Sequence, residues 1–145
     1  MKLARPVTAF AACLLTAVAA SQEVAPTPLP SGHPLLGTWR IDLPNNCYEE
    51  YTLKADGTKL SVSGQEQNES VFEISPNPSP AGFYRWADKI TKGNGKPDCG
   101  GSITKVGHVA VNFVRLHPSG KKFLLCEAEN LPSCFAEFYR KGSDA

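Results

Sequence analysis

The sequence predicts an all-β fold: one antiparallel up-and-down barrel of eight strands, closed on itself and carrying two disulfides. Three observations predict it. Short runs of alternating apolar and polar residues follow one another from Leu35 to Lys141, with turn residues between them. No stretch of that region has the apolar period of a helix, and no internal repeat is visible. Four cysteines, Cys47, Cys99, Cys126 and Cys134, follow an N-terminus built for export.

The elements read in order. Leu36 to Leu43 alternates, with Trp39, Ile41 and Leu43 on one face, and Pro44-Asn45-Asn46 turns the chain. Cys47 to Lys54 sets Tyr51 and Leu53 against Glu50 and Lys54, before the Asp56-Gly57 hairpin signal. Leu60 and Val62 mark a third strand and Gly64 to Asn68 a polar turn. Val71 to Ser75 is a fourth strand, with Phe72 and Ile74 as its inner face. Pro76 to Gly82 carries three prolines and excludes strand. Gly82 to Thr91 is aromatic-rich, and residues 92–102 form the longest irregular stretch. Ile103 to Leu116 resumes strand, with Val109, Val111 and Phe113 in step and a bulge at Gly107. Lys121 to Glu127 and Cys134 to Lys141 complete the set.

The N-terminus and the charge balance bound the function. Lys2 and Arg5 precede an apolar, alanine-rich run from Val7 to Ala20, and Val18-Ala19-Ala20 supplies small residues before Ser21. Residues 1–20 therefore read as a cleaved signal peptide that takes Cys13 with it, and the mature chain as periplasmic or secreted, with no membrane span. Residues 21–34 are rich in proline and small residues and read as a flexible leader to a domain at 35–145. The 145-residue chain has 15 Lys and Arg against 14 Asp and Glu; losing Lys2 and Arg5 leaves it near neutral. That balance gives no basic face for nucleic acid. Lys121-Lys122 and Arg140-Lys141 read as solvated strand ends. With no C-x-x-C spacing and an oxidising compartment, the cysteines read as two disulfides rather than a metal site.

Gly37-Thr38-Trp39 on the first strand resembles the Gly-x-Trp motif of the lipocalin and calycin group. In that group a late arginine packs over the tryptophan. The resemblance implies this structural role for Arg140 beside Trp39. The chain also resembles small exported bacterial proteins with GTW, an early cysteine, a D-G-T turn and an N-G-x-x-D-C-x-G loop. Here these are Cys47, Asp56-Gly57-Thr58 and Asn94 to Gly101. That second resemblance implies no particular activity.

Strand parity adds an inference of its own. In an up-and-down meander alternate connections share an end, so all four cysteines fall at one mouth, provided Ile103 to Val106 is not a separate strand. Cys126–Cys134 is then a local bridge and Cys47–Cys99 a long one, worth about 2.6 and 4.1 kcal/mol by loop entropy. A pairing that joins the first and last strands stays open, because those strands are neighbours in a closed barrel.

The resemblance makes that mouth the place where ligand enters. Tyr51, Tyr84, Trp86, Phe113 and Phe135 are the candidate lining of a pocket for a small hydrophobic or amphipathic ligand. The same rings would equally fill a solid barrel. In that case the loops at 92–102 and 127–133 would bind or inhibit an envelope or host protein. No catalytic constellation is apparent: the chain has no G-x-S-x-G elbow, phosphate loop or H-E-x-x-H motif, and no cofactor is implied. Glu49 and Glu50 point to opposite faces of one strand. Glu49 belongs to the inward parity with Tyr51, or to a rim in contact with water. Asn68-Glu69-Ser70 fits a glycosylation acceptor. The expected function is non-enzymatic binding, with the interaction module as the alternative.

Overall fold

A computed structural model describes residues 23–142. The signal-peptide reading of residues 1–20, with Cys13, lies outside the described residues. Eight antiparallel strands run in chain order: β1 (Gly37–Leu43), β2 (Cys47–Leu53), β3 (Thr58–Ser63), β4 (Glu66–Ile74), β5 (Tyr84–Gly93), β6 (Val109–Leu116), β7 (Lys122–Cys126) and β8 (Cys134–Arg140). Each pairs with its sequence neighbour, and β8 returns to β1 to close the barrel. A single 3-10 turn, Leu131–Ser133, is the only helical element among the described residues. The all-β, eight-stranded up-and-down expectation is met.

Turn chemistry explains the connections. Asn45 and Asn46 both take left-handed φ between β1 and β2, which asparagine tolerates better than other side-chain-bearing residues. Asp56 caps the β2–β3 hairpin by accepting from the Thr58 backbone N–H and hydroxyl. The closing β1–β8 pair is short: Trp39 faces Arg140 and Arg40 faces Tyr139. It is extended by the Lys141 N–H donating to the Thr38 carbonyl at 2.9 Å and the Tyr139 hydroxyl donating to Asp42 at 2.7 Å.

Both disulfides form as strand parity predicts: Cys47 with Cys99, and Cys126 with Cys134, at one end of the barrel. Ile103 to Val106 is irregular and β6 starts only at Val109, so the parity holds. Gly107 sits at positive φ in the turn before β6 rather than in a bulge within it. Register shifts instead fall between Glu69 and Ser70 and between Leu125 and Cys126.

The opposite end is closed by packing. Trp39 is fully buried, its indole N–H donates to the Leu35 carbonyl at 2.9 Å, and the Arg140 guanidinium lies 4.1 Å from the ring centroid. Arg140 also donates to the carbonyls of Leu36, at 2.7 Å, and of Gly120, at 3.1 Å. Gly37 sits at φ +110°, and a Cβ there would come within 2.9 Å of Arg140 Nη1. The glycine of the Gly-x-Trp motif therefore clears the space the arginine fills.

Residues 23–34, read from composition as a flexible leader, are folded against this closed end. The Thr27 N–H donates to the Phe72 carbonyl at 3.1 Å and the Leu29 N–H to the Ala55 carbonyl at 2.9 Å. Val24, Leu29 and His33 are buried. Proline-rich composition hid three apolar or amphipathic anchors spaced to reach the barrel wall.

The middle strands depart furthest from the sequence reading. β4 begins at Glu66 rather than Val71, because the turn is only Gly64 and Gln65. Along β3 and the first half of β4 the inward residues are Lys59, Ser61, Ser63, Glu66, Asn68 and Ser70, all buried. Leu60 and Val62 face outward. An apolar-inside rule cannot find a strand whose inner face is polar.

Candidate functional site

The polar strands open a cavity of about 210 Å³ inside the mouth half of the barrel. Its wall comes from β2 (Glu49, Tyr51), β3 (Lys59, Ser61, Ser63), β4 (Glu66, Asn68), β5 (Trp86, Asp88, Ile90) and β6 (Ala110, Asn112). Leu125 of β7 and Asp98, Thr104 and His108 of the long β5–β6 connection complete it. Antiparallel register assembles the set: Glu49 lies opposite Ser63, Ser63 opposite Glu66, and Ser61 opposite both Tyr51 and Asn68.

Lys59 is the centre of the buried electrostatics. Its ammonium pairs with the Asp88 carboxylate across the intervening strand β4, both side chains nearly excluded from solvent. The same Nζ lies 4.8 Å from the Tyr51 ring centroid and 5.0 Å from that of Trp86. These rings meet edge to face, 6.0 Å apart at 89°, and form a two-walled aromatic corner around the cation. The Asp88 carboxylate and the two rings are the partners this inward lysine has in place of water.

Glu49 is the second anchor. It accepts from the Tyr51 hydroxyl at 2.9 Å and from Ser63 Oγ at 3.0 Å. Burial first, and then the Glu49 carboxylate, push the Tyr51 phenol well above its ordinary value of 10.0, so it remains a donor. Glu66 accepts from the Thr104 N–H at 3.0 Å and ties the long connection to the rim. Ser63 Oγ also accepts from the Cys99 N–H at 3.1 Å, and the Cys47–Cys99 bridge fixes the same loop covalently. Asp98 Oδ1 accepts from Gly100 and Ser102 N–H groups, each at 2.8 Å, and so shapes its own turn.

Two buried polar atoms of the wall have no hydrogen-bond partner: Asn68 Oδ1 and Trp86 Nε1. Both residues are about 5 % exposed. Gly93 helps to place the first, since a Cβ at that position would lie 2.6 Å from Asn68 Oδ1. Because Asn68 is turned into the barrel, the Asn-x-Ser triplet presents no accessible acceptor for a glycan on the folded chain.

The candidate aromatic lining is divided by the structure. Tyr51 and Trp86 line the cavity. Tyr84 is buried but lies at the closed end, its ring 5.4 Å from the His33 ring. Phe113 lies on the outer parity of β6, because Ala110, Asn112 and Val114 take the inner positions. Phe135 is 59 % exposed on the outside of β8, where Ala136 and Phe138 face inward. Both phenylalanines are corrected from lining to outer face: on β8 Ala136 and Phe138 already hold the inner parity, and on β6 the inner parity includes Asn112. With part of the interior polar, apolar residues no longer mark the inner parity of β6.

Sequence reasoning missed Lys59, Ser61, Ser63, Glu66, Asn68 and Asp88. One signal was available: Ser61, Ser63, Glu66, Asn68 and Ser70 alternate at period two with Leu60, Val62, Gln67 and Glu69. Among the described residues no cluster of three or more His, Cys, Asp or Glu could hold a metal ion, and no helix is long and apolar enough to cross a membrane. The two disulfides are compatible with an exported protein. Comparison with family models, curated proteins and solved structures finds no match to this chain.

Proposed function

We propose that this is an exported, non-enzymatic binding protein of lipocalin-like build, whose barrel mouth holds one small amphipathic molecule. The observation that carries the reading is the pair of buried, unpartnered groups, Asn68 Oδ1 and Trp86 Nε1, in the wall of one cavity. Buried polar atoms without partners are rare in folded proteins, and each is destabilising unless something supplies the missing bond. A cavity of about 210 Å³ lies below the 300–1,000 Å³ range usual for drug-sized ligands, so the occupant is a small metabolite. Its wall is more polar than a hydrophobic cargo needs. The ligand therefore presents hydrogen-bonding groups to Asn68 and Trp86 and apolar surface to Ile90 and Leu125.

A second reading keeps a specific observation. Ile103 and Val106 in the long connection are 55 % and 63 % exposed, and Leu131 beside Phe135 is 53 % exposed. This apolar surface lies on or next to the loops at 92–102 and 127–133, and it favours a protein partner at the mouth.

Native mass spectrometry of the protein recovered from its own host separates the two readings. Ala110 lines the cavity, so Ala110→Phe fills it. A small adduct on the wild type, lost on denaturation and absent from Ala110→Phe, is the expected result. A bare wild-type mass, with a protein partner retained equally by both forms, overturns the ligand reading in favour of the interaction module.

A further inference from the structure

Resting on the binding reading above, we propose that the ligand is a small organic cation, a protonated amine that also carries a hydrogen-bond acceptor. Charge is the first argument. The wall holds four carboxylates, Glu49, Glu66, Asp88 and Asp98, against one ammonium, Lys59, and the single histidine His108. Lys59 and Asp88 neutralise each other as a pair. The three carboxylates that remain lie toward the mouth: Glu49 two residues into β2, Glu66 at the start of β4, and Asp98 in the connection beside Cys99. A concave site with low-dielectric walls and one sign of excess charge focuses the field and concentrates the opposite ion.

The unpartnered groups supply the second, independent argument. Asn68 Oδ1 is an acceptor that lacks a donor, and an ammonium brings up to three donors. Trp86 Nε1 is a donor that lacks an acceptor, which asks for an oxygen elsewhere on the same molecule. Asn68 and Glu66 are both inward positions of β4, two residues apart, so one ammonium can address both.

The aromatic corner limits where that ammonium sits. Tyr51 and Trp86 already hold an alkylammonium, that of Lys59, at 4.8 and 5.0 Å from their centroids. Lys59 thus fills the aromatic corner, and the part of the cavity left to a ligand's ammonium is the side of Glu49, Glu66 and Asn68. An anion would meet three carboxylates, and its only cationic partner is engaged with Asp88.

The test uses three molecules that differ at one end: 4-amino-1-butanol, 1,4-butanediol and 4-hydroxybutyrate. Titration calorimetry on the disulfide-intact protein at low salt should show binding of the amine. The diol and the anion should bind at least about tenfold more weakly, since each loses the charge-assisted hydrogen bonds. Glu66→Gln should weaken the amine by about tenfold while leaving the melting temperature near that of the wild type. Ala110→Phe should abolish the binding. Added salt should weaken it, as screening predicts for a site open to solvent.

Preference for the diol or the anion overturns the cation assignment and leaves the cavity reading standing. Amine binding that survives Ala110→Phe overturns it as well, because the amine then sits outside the barrel. No detectable binding of the amine also overturns it, and the mass measurement on the host-derived protein then decides the cavity reading separately.

Discussion

In its lower half, toward the closed end, the barrel interior holds a stack of rings from β1, β2, β7 and β8, whereas in its upper half, toward the mouth, β2, β3 and β4 turn glutamate, serine and asparagine inward. Trp39 meets Phe123 at 4.8 Å, Phe123 stacks on Phe138 at 5.2 Å, and Phe138 stacks on Tyr51 at 4.8 Å. The lower half is thus filled, and its burial of apolar area holds the domain together. The upper half gives up that contribution. It keeps a cavity with the unpartnered Asn68 Oδ1 and Trp86 Nε1 in its wall residues, and is held in shape by the Cys47–Cys99 bridge and by hydrogen bonds to Glu49, Ser63 and Glu66. Stability and binding are assigned to different ends of one sheet, so substitutions at the two ends should separate them.

Trp39→Ala is the largest break on the closed side. The ring is fully buried, touches Phe123 and lies under Arg140. Its removal should cost about 4 kcal/mol, within the range for truncating a large buried aromatic. Urea unfolding checks this, with a shifted midpoint and an unchanged slope. A loss under about 1 kcal/mol would mean that the lower stack is not the core.

The two halves were unequally legible in the sequence. Trp39, Leu53, Phe72 and Ile74 alternate as a half-buried sheet should, and their strands are visible at once. Export signals and cysteine parity also led to the disulfide pairing, because a meander leaves few ways for loops to meet. In β3 and the start of β4 the rule inverts. Leu60 and Val62 point out, Ser61 and Asn68 point in, and the period of two survives with its faces exchanged. The same inversion in β6 moved Phe113 to the outer face. A functional interior violates the pattern that makes strands readable, and so the cavity was the least visible part.

The Lys59–Asp88 pair sharpens the contrast from the side of the cavity. Lys59→Met leaves the Asp88 carboxylate buried without its partner and should cost about 3 kcal/mol, at the low end for a broken buried pair because the cavity opens toward the mouth. Pairing it with Asp88→Leu should recover most of that loss, since a buried pair and an apolar substitute are often nearly equivalent in stability. Thermal or urea unfolding of both singles and the double completes the cycle. Additive losses in the double would show that the two side chains do not act as a pair, and would remove the reason for counting the remaining carboxylates as excess charge.

His33 provides the smallest effect and returns to the closed end. It is buried beside Tyr84, its Nδ1 accepts from the Leu35 N–H at 3.3 Å, and its Nε2 has no partner of good geometry. Burial lowers its pKa below 6.5, while the nearby Pro76 and Ser75 backbone opposes that shift without overcoming it. The unfolded chain therefore takes up the proton first on acidification. The stability due to neutral His33 is present above pH 6.5 and is lost as pH falls from there through the folded value. Asp42, held below 3.8 by the Tyr139 hydroxyl and then Arg40, loses its contribution only in stronger acid, so the two windows are distinct. Urea midpoints between about pH 7.5 and 5 should fall for the wild type and stay flatter for His33→Gln, which cannot titrate there. Equal slopes in both proteins would place the acid sensitivity elsewhere. The segment at 23–34 would then cover the closed end without setting its response to pH.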